Sequence, residues 1–237
     1  ITAARAALHF WEEPCISGTG GSGTVFFSGC TLKCCFCQNY QISQEGIGKT
    51  ISTEELARIF LDLQDQGAEN ISLVTADQYL PSVLAALNQV KDQLQVPVVY
   101  NCSGYERLET LQLLSGSVHI YLPDLKYFDS GIAQTYSRAG NYFSYASKAI
   151  PEMIRQTGAP RFNQQGVLEK GSFLLSLMSQ YTPFYHASDY PEINRRITTY
   201  EYEKVLDEAV RLGLTDGYMQ EKSSAKEEYT PAFDLEG

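Results

Sequence analysis

The sequence predicts an α/β protein in which a parallel sheet carries its helices outside, curled into a partial (β/α) barrel. Short apolar runs alternate with amphipathic stretches at helical spacing between residues 25 and 126, the pattern of strands that pair in parallel with a helix between each. The handedness of such crossovers curls the repeat into a full or partial barrel or winds it into a doubly wound sheet. The length of 237 residues suits a single domain, so residues 1–237 are read as one.

The elements follow in order. Glycine-rich SGTGGSGTVFFSG (17–29) begins as a turn and ends in an apolar run, Val25 to Phe27, that reads as a buried strand. Ser52 and Glu55 stand three apart, the capping-box arrangement of a helix start. Leu56, Ile59, Phe60 and Leu63 then share one face, and Gly67 closes the helix. NISLVT (70–75) is a strand. A helix over Val83, Leu84, Leu87 and Val90 leads to the strand VPVVYN (96–101), and one over Leu108, Leu111 and Leu114 leads to SVHIYLPDLK (117–126). Ligands collect at the carboxyl ends of parallel strands, here Gly29-Cys30, Thr75-Ala76-Asp77, Asn101-Cys102-Ser103 and Asp124-Leu125-Lys126.

The second half is less regular. Residues 142–158 read as a helix that Pro151 should kink or restart, and SFLLSLMSQY (172–181) as a strong strand. Only Glu169, Lys170, Gly171 and Ser172 separate Leu168 from Phe173, too few for a strand–helix–strand unit, so a segment is expected to be missing near 168–173. The chain begins at Ile1, not Met, which predicts a truncated N-terminus. A last helix starts at Thr198, with Glu201 completing a capping box, carries Val205, Leu206 and Ala209 inward and ends at Gly213. A short strand and an irregular tail follow.

A hydrophobic content of 43% and a charged content of 19% are ordinary for a globular protein. No apolar run reaches the roughly 18 residues of a membrane span, and no secretory leader is visible. The net charge of −10 disfavours nucleic acid as a partner. Six clustered cysteines do not make a disulfide scaffold and fit a reducing, cytoplasmic compartment.

Four of those six stand in GCTLKCCFCQNY, residues 29–40, spaced C-x3-C-x2-C at Cys30, Cys34 and Cys37 with Phe36 before the last. Three close thiolates suit a four-iron cluster that keeps one iron open to a small-molecule ligand. A closed zinc site wants four ligands in paired spacing, which Cys15, Cys102 and three scattered histidines do not supply in sequence.

The motif resembles that of the radical S-adenosylmethionine (SAM) superfamily. The resemblance implies a [4Fe–4S] cluster on Cys30, Cys34 and Cys37, SAM chelating the open iron, and reductive cleavage of SAM to a radical that abstracts hydrogen. It implies Phe36 near the adenine and leaves Cys35 a bystander. SGCTLKCCFCQNY and the Asp124-Leu125-Lys126 step are further similar to pyruvate formate-lyase activating enzymes, whose matching Asp helps hold a cation beside the SAM carboxylate while the Lys faces the site. Asn101 stands where those enzymes carry an aspartate, with Ser103 in the same strand-end segment. The usual G-G-E step is replaced by SLVTADQYLP (72–81), which makes Thr75 and Asp77 the candidate contacts to the SAM amino group; Gln180 is a further candidate.

The implied partners are a glycyl-radical enzyme, or another protein or peptide substrate, and a reducing electron carrier such as a flavodoxin or ferredoxin. Two alternatives stay open: radical modification of a different peptide, RNA or metabolite, and a non-catalytic iron–sulfur or zinc module. No catalytic residue is assigned. Cys15 and Cys102 read equally well as packing residues, His119 inside its apolar strand reads as a core residue rather than a base, and His186 lies in an aromatic-rich loop.

Overall fold

The alternating apolar runs become a sheet. The computed structural model describes residues 1–171, 174–215, 217–219 and 233. Its first half contains β1 (Thr2–His9), α1 (Pro14–Ser17), β2 (Ser22–Phe27), α2 (Tyr40–Ser43), β3 (Lys49–Thr50), α3 (Thr53–Asp65), β4 (Asn70–Val74), α4 (Leu80–Val90), β5 (Val98–Cys102), α5 (Leu108–Leu114) and β6 (Ile120–Pro123). There follow α6 (Ser130–Ser137), α7 (Tyr142–Thr157), β7 (Arg161–Phe162), β8 (Leu168–Lys170), β9 (Leu175–Leu177), α8 (Thr199–Arg211) and β10 (Gly217–Met219).

The main sheet has the order β3-β1-β2-β4-β5-β6. Strands β2, β4, β5 and β6 are parallel, with Val25 opposite Leu73, Val74 opposite Asn101 and Cys102 opposite Pro123. Strand β1 pairs antiparallel with β2 and with β3, an edge that the alanine-rich TAARAALH did not announce.

One core decides between the two architectures left open by the sequence. Val25, Phe27, Ile71, Leu73, Val98, Tyr100, Cys102 and Tyr121 project to one face of the sheet. There they pack on Leu56 and Phe60 of α3, Val83 and Leu87 of α4, Leu111 and Leu114 of α5, and Ala149 and Met153 of α7. Helices α3, α4, α5 and α7 therefore share one side. The opposite face meets α1 and the β7–β8 hairpin, through Cys15, Ile16, Val99, Ile120 and Leu168. A doubly wound sheet would carry helices on both faces; this arrangement is the curled, barrel-like one.

Several local expectations change. Strand β6 is only four residues long, and His119 precedes it, its Nδ1 accepting the Val98 amide at 3.1 Å. Helix α7 runs unbroken through Pro151. Both Pro151 and Ser147, whose carbonyl loses its partner, are exposed, so water can satisfy that oxygen. The long strand over 172–181 reduces to β9, which pairs over three residues with β10 and, among the described residues, with no other strand; residues 172 and 173 lie outside the described ones. The expected break near 168–173 ends on those two residues. What precedes it, β8, pairs antiparallel with β7, and Gly171 bridges to Ile120. On α8, Val205 is exposed rather than inward, while Ala209 is buried. Thr198 and Glu201 form the full reciprocal cap, whereas Ser52 accepts the Glu55 amide. Most of the charged tail lies outside the described residues.

The ends of β5 and β6 are locked together by one tyrosine and one glycine. The buried Tyr142 hydroxyl lies 2.7 Å from Ser103 O and 2.9 Å from Asp124 O, and accepts the Lys126 amide at 3.0 Å. Gly104 permits that approach: its φ is +75°, and a Cβ there would meet Asp124 O at 2.2 Å. The Gly104→Ala variant is expected to lose about 1–3 kcal/mol from the forced left-handed backbone alone, with the clash adding to it. Denaturant unfolding measures the loss, and the same variant should bind SAM more weakly because the 124–126 segment must move.

Candidate active site

The cysteine loop leaves the carboxyl end of β2 and is tied down on three sides. Gly29, at φ +91°, turns the chain, and its amide bonds Ile42 O at 2.9 Å. Gln78 Nε2 donates to Ser28 O at 2.9 Å and to Gly29 and Thr75 carbonyls at 3.2 and 3.0 Å, binding the loop to the end of β4. The last carbonyls of α6 take the loop's amides: Lys33 N to Ser137 O at 3.2 Å and Cys35 N to Tyr136 O at 2.8 Å. Helix-end carbonyls need such partners when covered, and here the partners flank Cys34 on both sides.

Cys30, Cys34 and Cys37 are all free thiols. Among the described residues no three His, Cys, Asp or Glu side chains converge on a point as a single ion demands, so the fit to a cluster is judged on the donors around the sulfurs. Ser137 Oγ donates to Cys34 Sγ at 2.9 Å, Ser43 Oγ lies 3.2 Å from Cys37 Sγ, and the Leu32 amide serves Cys30. A polar hydrogen-bonding partner at each sulfur is the environment of ligating thiolates. Burial, foremost, pushes the Cys30 thiol up to about 12, with Asp77 and the other two cysteines adding to it against the Leu32 amide. Burial also raises Cys34, opposed by the Ser137 hydroxyl and the Lys126 charge. Thiols so placed ionise when a metal supplies positive charge, so the residues present fit an iron–sulfur cluster.

The other expected site residues gather nearby in part. Phe36 is half-buried, its ring edge-on to Tyr181 at 5.9 Å, and Gln180 precedes that tyrosine. Thr75 sits at φ +56° with its amide on Asn101 O. Asp77 is bonded by the Tyr100 and Thr31 hydroxyls; burial raises its pKa while those bonds pull it back. Asn101 is on the face opposite Tyr100 and Cys102, and its amide lies 3.4 Å from Glu12. The Ser103 hydroxyl is buried and has no hydrogen-bond partner among the described residues. Asp124 and Lys126 form an ion pair at 2.5 Å; burial works against the Lys126 charge, and the Asp124 carboxylate more than restores it. Cys102 packs in the helix-side core and Cys15 beneath the sheet, while His186 is exposed beside Asp189.

Two acids escaped the sequence reading. Glu106 is buried, and among the described residues neither carboxyl oxygen has a well-formed hydrogen bond. Burial first, then Asp77, pushes it up to about 8, although the Cys102 thiol opposes this. Glu12, reaching from the segment before α1, is pushed up to about 7 by burial, Glu13 and Asp124. Their one sequence signal is position: Glu106 follows the Gly104 turn at a strand end, where side chains face the site.

A one-sided α/β layer with a three-cysteine loop at the end of its first parallel strand defines the class. The chain belongs to the radical SAM superfamily, whose family model matches residues 24–160. Membership implies an enzyme that uses a [4Fe–4S] cluster and SAM. The chain is also similar to the uncharacterized protein MJ0674 of Methanocaldococcus jannaschii, 33% identical over 230 residues. That match covers 87% of this chain and 66% of the relative, so the chain spans just under two thirds of the relative's length. Among the described residues no helix is long and apolar enough to cross a membrane.

Glu106 also sets a pH dependence. Its carboxyl holds a proton more tightly folded, at about 8, than at its ordinary 4.5, so the folded chain carries the extra proton between those values. Its contribution to stability is therefore full below about pH 4.5 and is lost as pH rises through about 8. Denaturant unfolding across this range should show stability falling with pH, by at most about 1.4 kcal/mol per unit from this group. In Glu106→Gln the slope should shrink to what Glu12 and Asp77 contribute.

Proposed function

We propose that this chain binds a site-differentiated [4Fe–4S] cluster through Cys30, Cys34 and Cys37 and uses it to cleave SAM reductively. The observation that carries this reading is the trio of free thiols on one strand-end loop, each within hydrogen-bond reach of its own polar partner. When bound, the cluster and SAM supply the electron and the carbon radical that abstracts hydrogen. The chain's own residues bind, orient and shield. Asp124 and Lys126, pinned by Tyr142, present one negative and one positive group beside the loop, suited to the SAM ammonium and carboxylate. Leu32, Phe36, Tyr105, Tyr127 and Tyr136 wall the cysteines from water. Asp77, Thr75, Asn101, Ser103 and Gln180 are the remaining candidates for polar contact with SAM.

Within that chemistry the preferred substrate is a protein glycine, as in activation of a glycyl-radical enzyme. Support comes from the motif resemblance and from the rim. Leu125, between Asp124 and Lys126 in the chain, and Phe128, two residues further on, are exposed by 61% and 79%, and apolar side chains there suit a protein segment better than a small metabolite. A flavodoxin or ferredoxin would deliver the electron. The second reading, modification of another peptide or small substrate, uses the same site.

Anaerobically reconstituted protein with SAM and dithionite is expected to yield 5′-deoxyadenosine, and Cys30→Ala, Cys34→Ala and Cys37→Ala to yield none above background. Wild-type yield from Cys34→Ala would overturn the proposal. With candidate glycyl-radical enzymes from the same host, electron paramagnetic resonance should show a backbone carbon radical. Its absence with 5′-deoxyadenosine still formed would favour the second substrate class.

A further inference from the structure

Two of the three cluster thiols are met by serines that are themselves hydrogen-bonded from behind. The Tyr127 hydroxyl lies 2.6 Å from Ser137 Oγ, which donates to Cys34 Sγ at 2.9 Å, and the whole chain is buried. Ser137 has one proton to give; since Cys34 receives it, Tyr127 must donate to Ser137. The direction is thus fixed: Tyr127 to Ser137 to Cys34. At Cys37 the corresponding chain is looser. Gln44 Nε2 donates to Ser43 Oγ at 3.3 Å, Ser43 lies 3.2 Å from the sulfur, and the site is only partly buried.

Resting on the cluster reading, we propose that the Tyr127–Ser137 pair is a positioning relay that holds Cys34 and raises the reduction potential of the cluster bound there. Reduction adds negative charge that spreads onto the thiolate sulfurs, and a donor aimed at a sulfur stabilises the reduced form more than the oxidised one. A buried donor acts in a low dielectric, and a second hydroxyl behind it polarises the first. Ser137 is the stronger of the two serines on both counts, being closer to its sulfur and fully buried. Its place is also the best determined: it closes α6, and its own carbonyl holds the Lys33 amide one residue before Cys34. One residue therefore fixes the ligand's backbone and tunes its sulfur.

The test is a redox titration of anaerobically reconstituted protein, followed by the electron paramagnetic resonance of the reduced cluster. Removing the hydroxyl in Ser137→Ala should make the cluster about tenfold harder to reduce, a fall in potential of about 59 mV for one electron. Tyr127→Phe should shift it the same way by less, and Ser137→Thr should restore the wild-type value. Iron and acid-labile sulfide are measured on every sample. Wild-type iron and sulfide with an unchanged potential in Ser137→Ala would overturn the relay while leaving the cluster reading intact. Should Ser137→Ala fail to hold its cluster, Tyr127→Phe decides: an unchanged potential there overturns the relay. A wild-type protein without iron and sulfide would overturn the cluster reading, and the relay with it.

Discussion

A loop whose sulfurs are kept for a metal, as proposed for this one, cannot use those sulfurs to hold itself in place. Here the restraint comes from backbone groups: two carbonyls at the end of α6 take the amides on either side of Cys34, and the Gln78 side chain gathers carbonyls of the loop's root and of β4. Each bond is worth about 1 kcal/mol net. Together they fix the loop's path between two elements that are rigid for other reasons, the buried strand β2 and the packed helix pair α6–α7. Ser137 then joins the restraint to the chemistry, because the residue that holds the backbone also reaches the sulfur.

The same economy recurs at the ends of β5 and β6. Tyr142 is buried in the aromatic layer over the cysteine loop, where Tyr105 stacks on it and Tyr127 meets it edge-on. Its hydroxyl nevertheless ties Ser103, Asp124 and Lys126. Packing places the ring, the ring places the hydroxyl, and the hydroxyl orders the segment that carries the ion pair. Around that pair lie acids whose pKa values are raised, Glu12 by burial, Glu13 and Asp124, and Glu106 by burial and Asp77. Low dielectric makes unpaired carboxylates costly, so these groups keep their protons near neutral pH, and a cation brought beside them would favour their ionised form.

Much of the helix-side architecture was legible in the sequence because it is written in periodicity. Leu56, Phe60 and Leu63 on α3 and the buried run Ile71–Val74 declare their faces, and the cysteine spacing declares its chemistry. Strand β1 was not legible: its alanines alternate too weakly, and its place depends on antiparallel pairing with β2, from His9 opposite Ser22 to Ala3 opposite Phe27. The length of β9 was misjudged because apolar content does not say how many backbone partners a strand will find. Val205 was placed inward by helical spacing, yet α8 buries only Ala209 fully, since a peripheral helix covers a narrow stripe. The site shows the same division. The proposed ligands lie in one stretch of twelve residues, whereas Glu12, Glu106 and the pair Ser137 and Tyr142 come from other parts of the chain, and no local pattern links them.

All of this depends on Cys30, Cys34 and Cys37 holding three irons of a cube and leaving the fourth to SAM. Mössbauer spectroscopy of protein reconstituted with ⁵⁷Fe tests that most directly. One iron in four should change its signal when SAM is added, with the other three unaltered. Four irons indifferent to SAM, or zinc without acid-labile sulfide, would contradict the account.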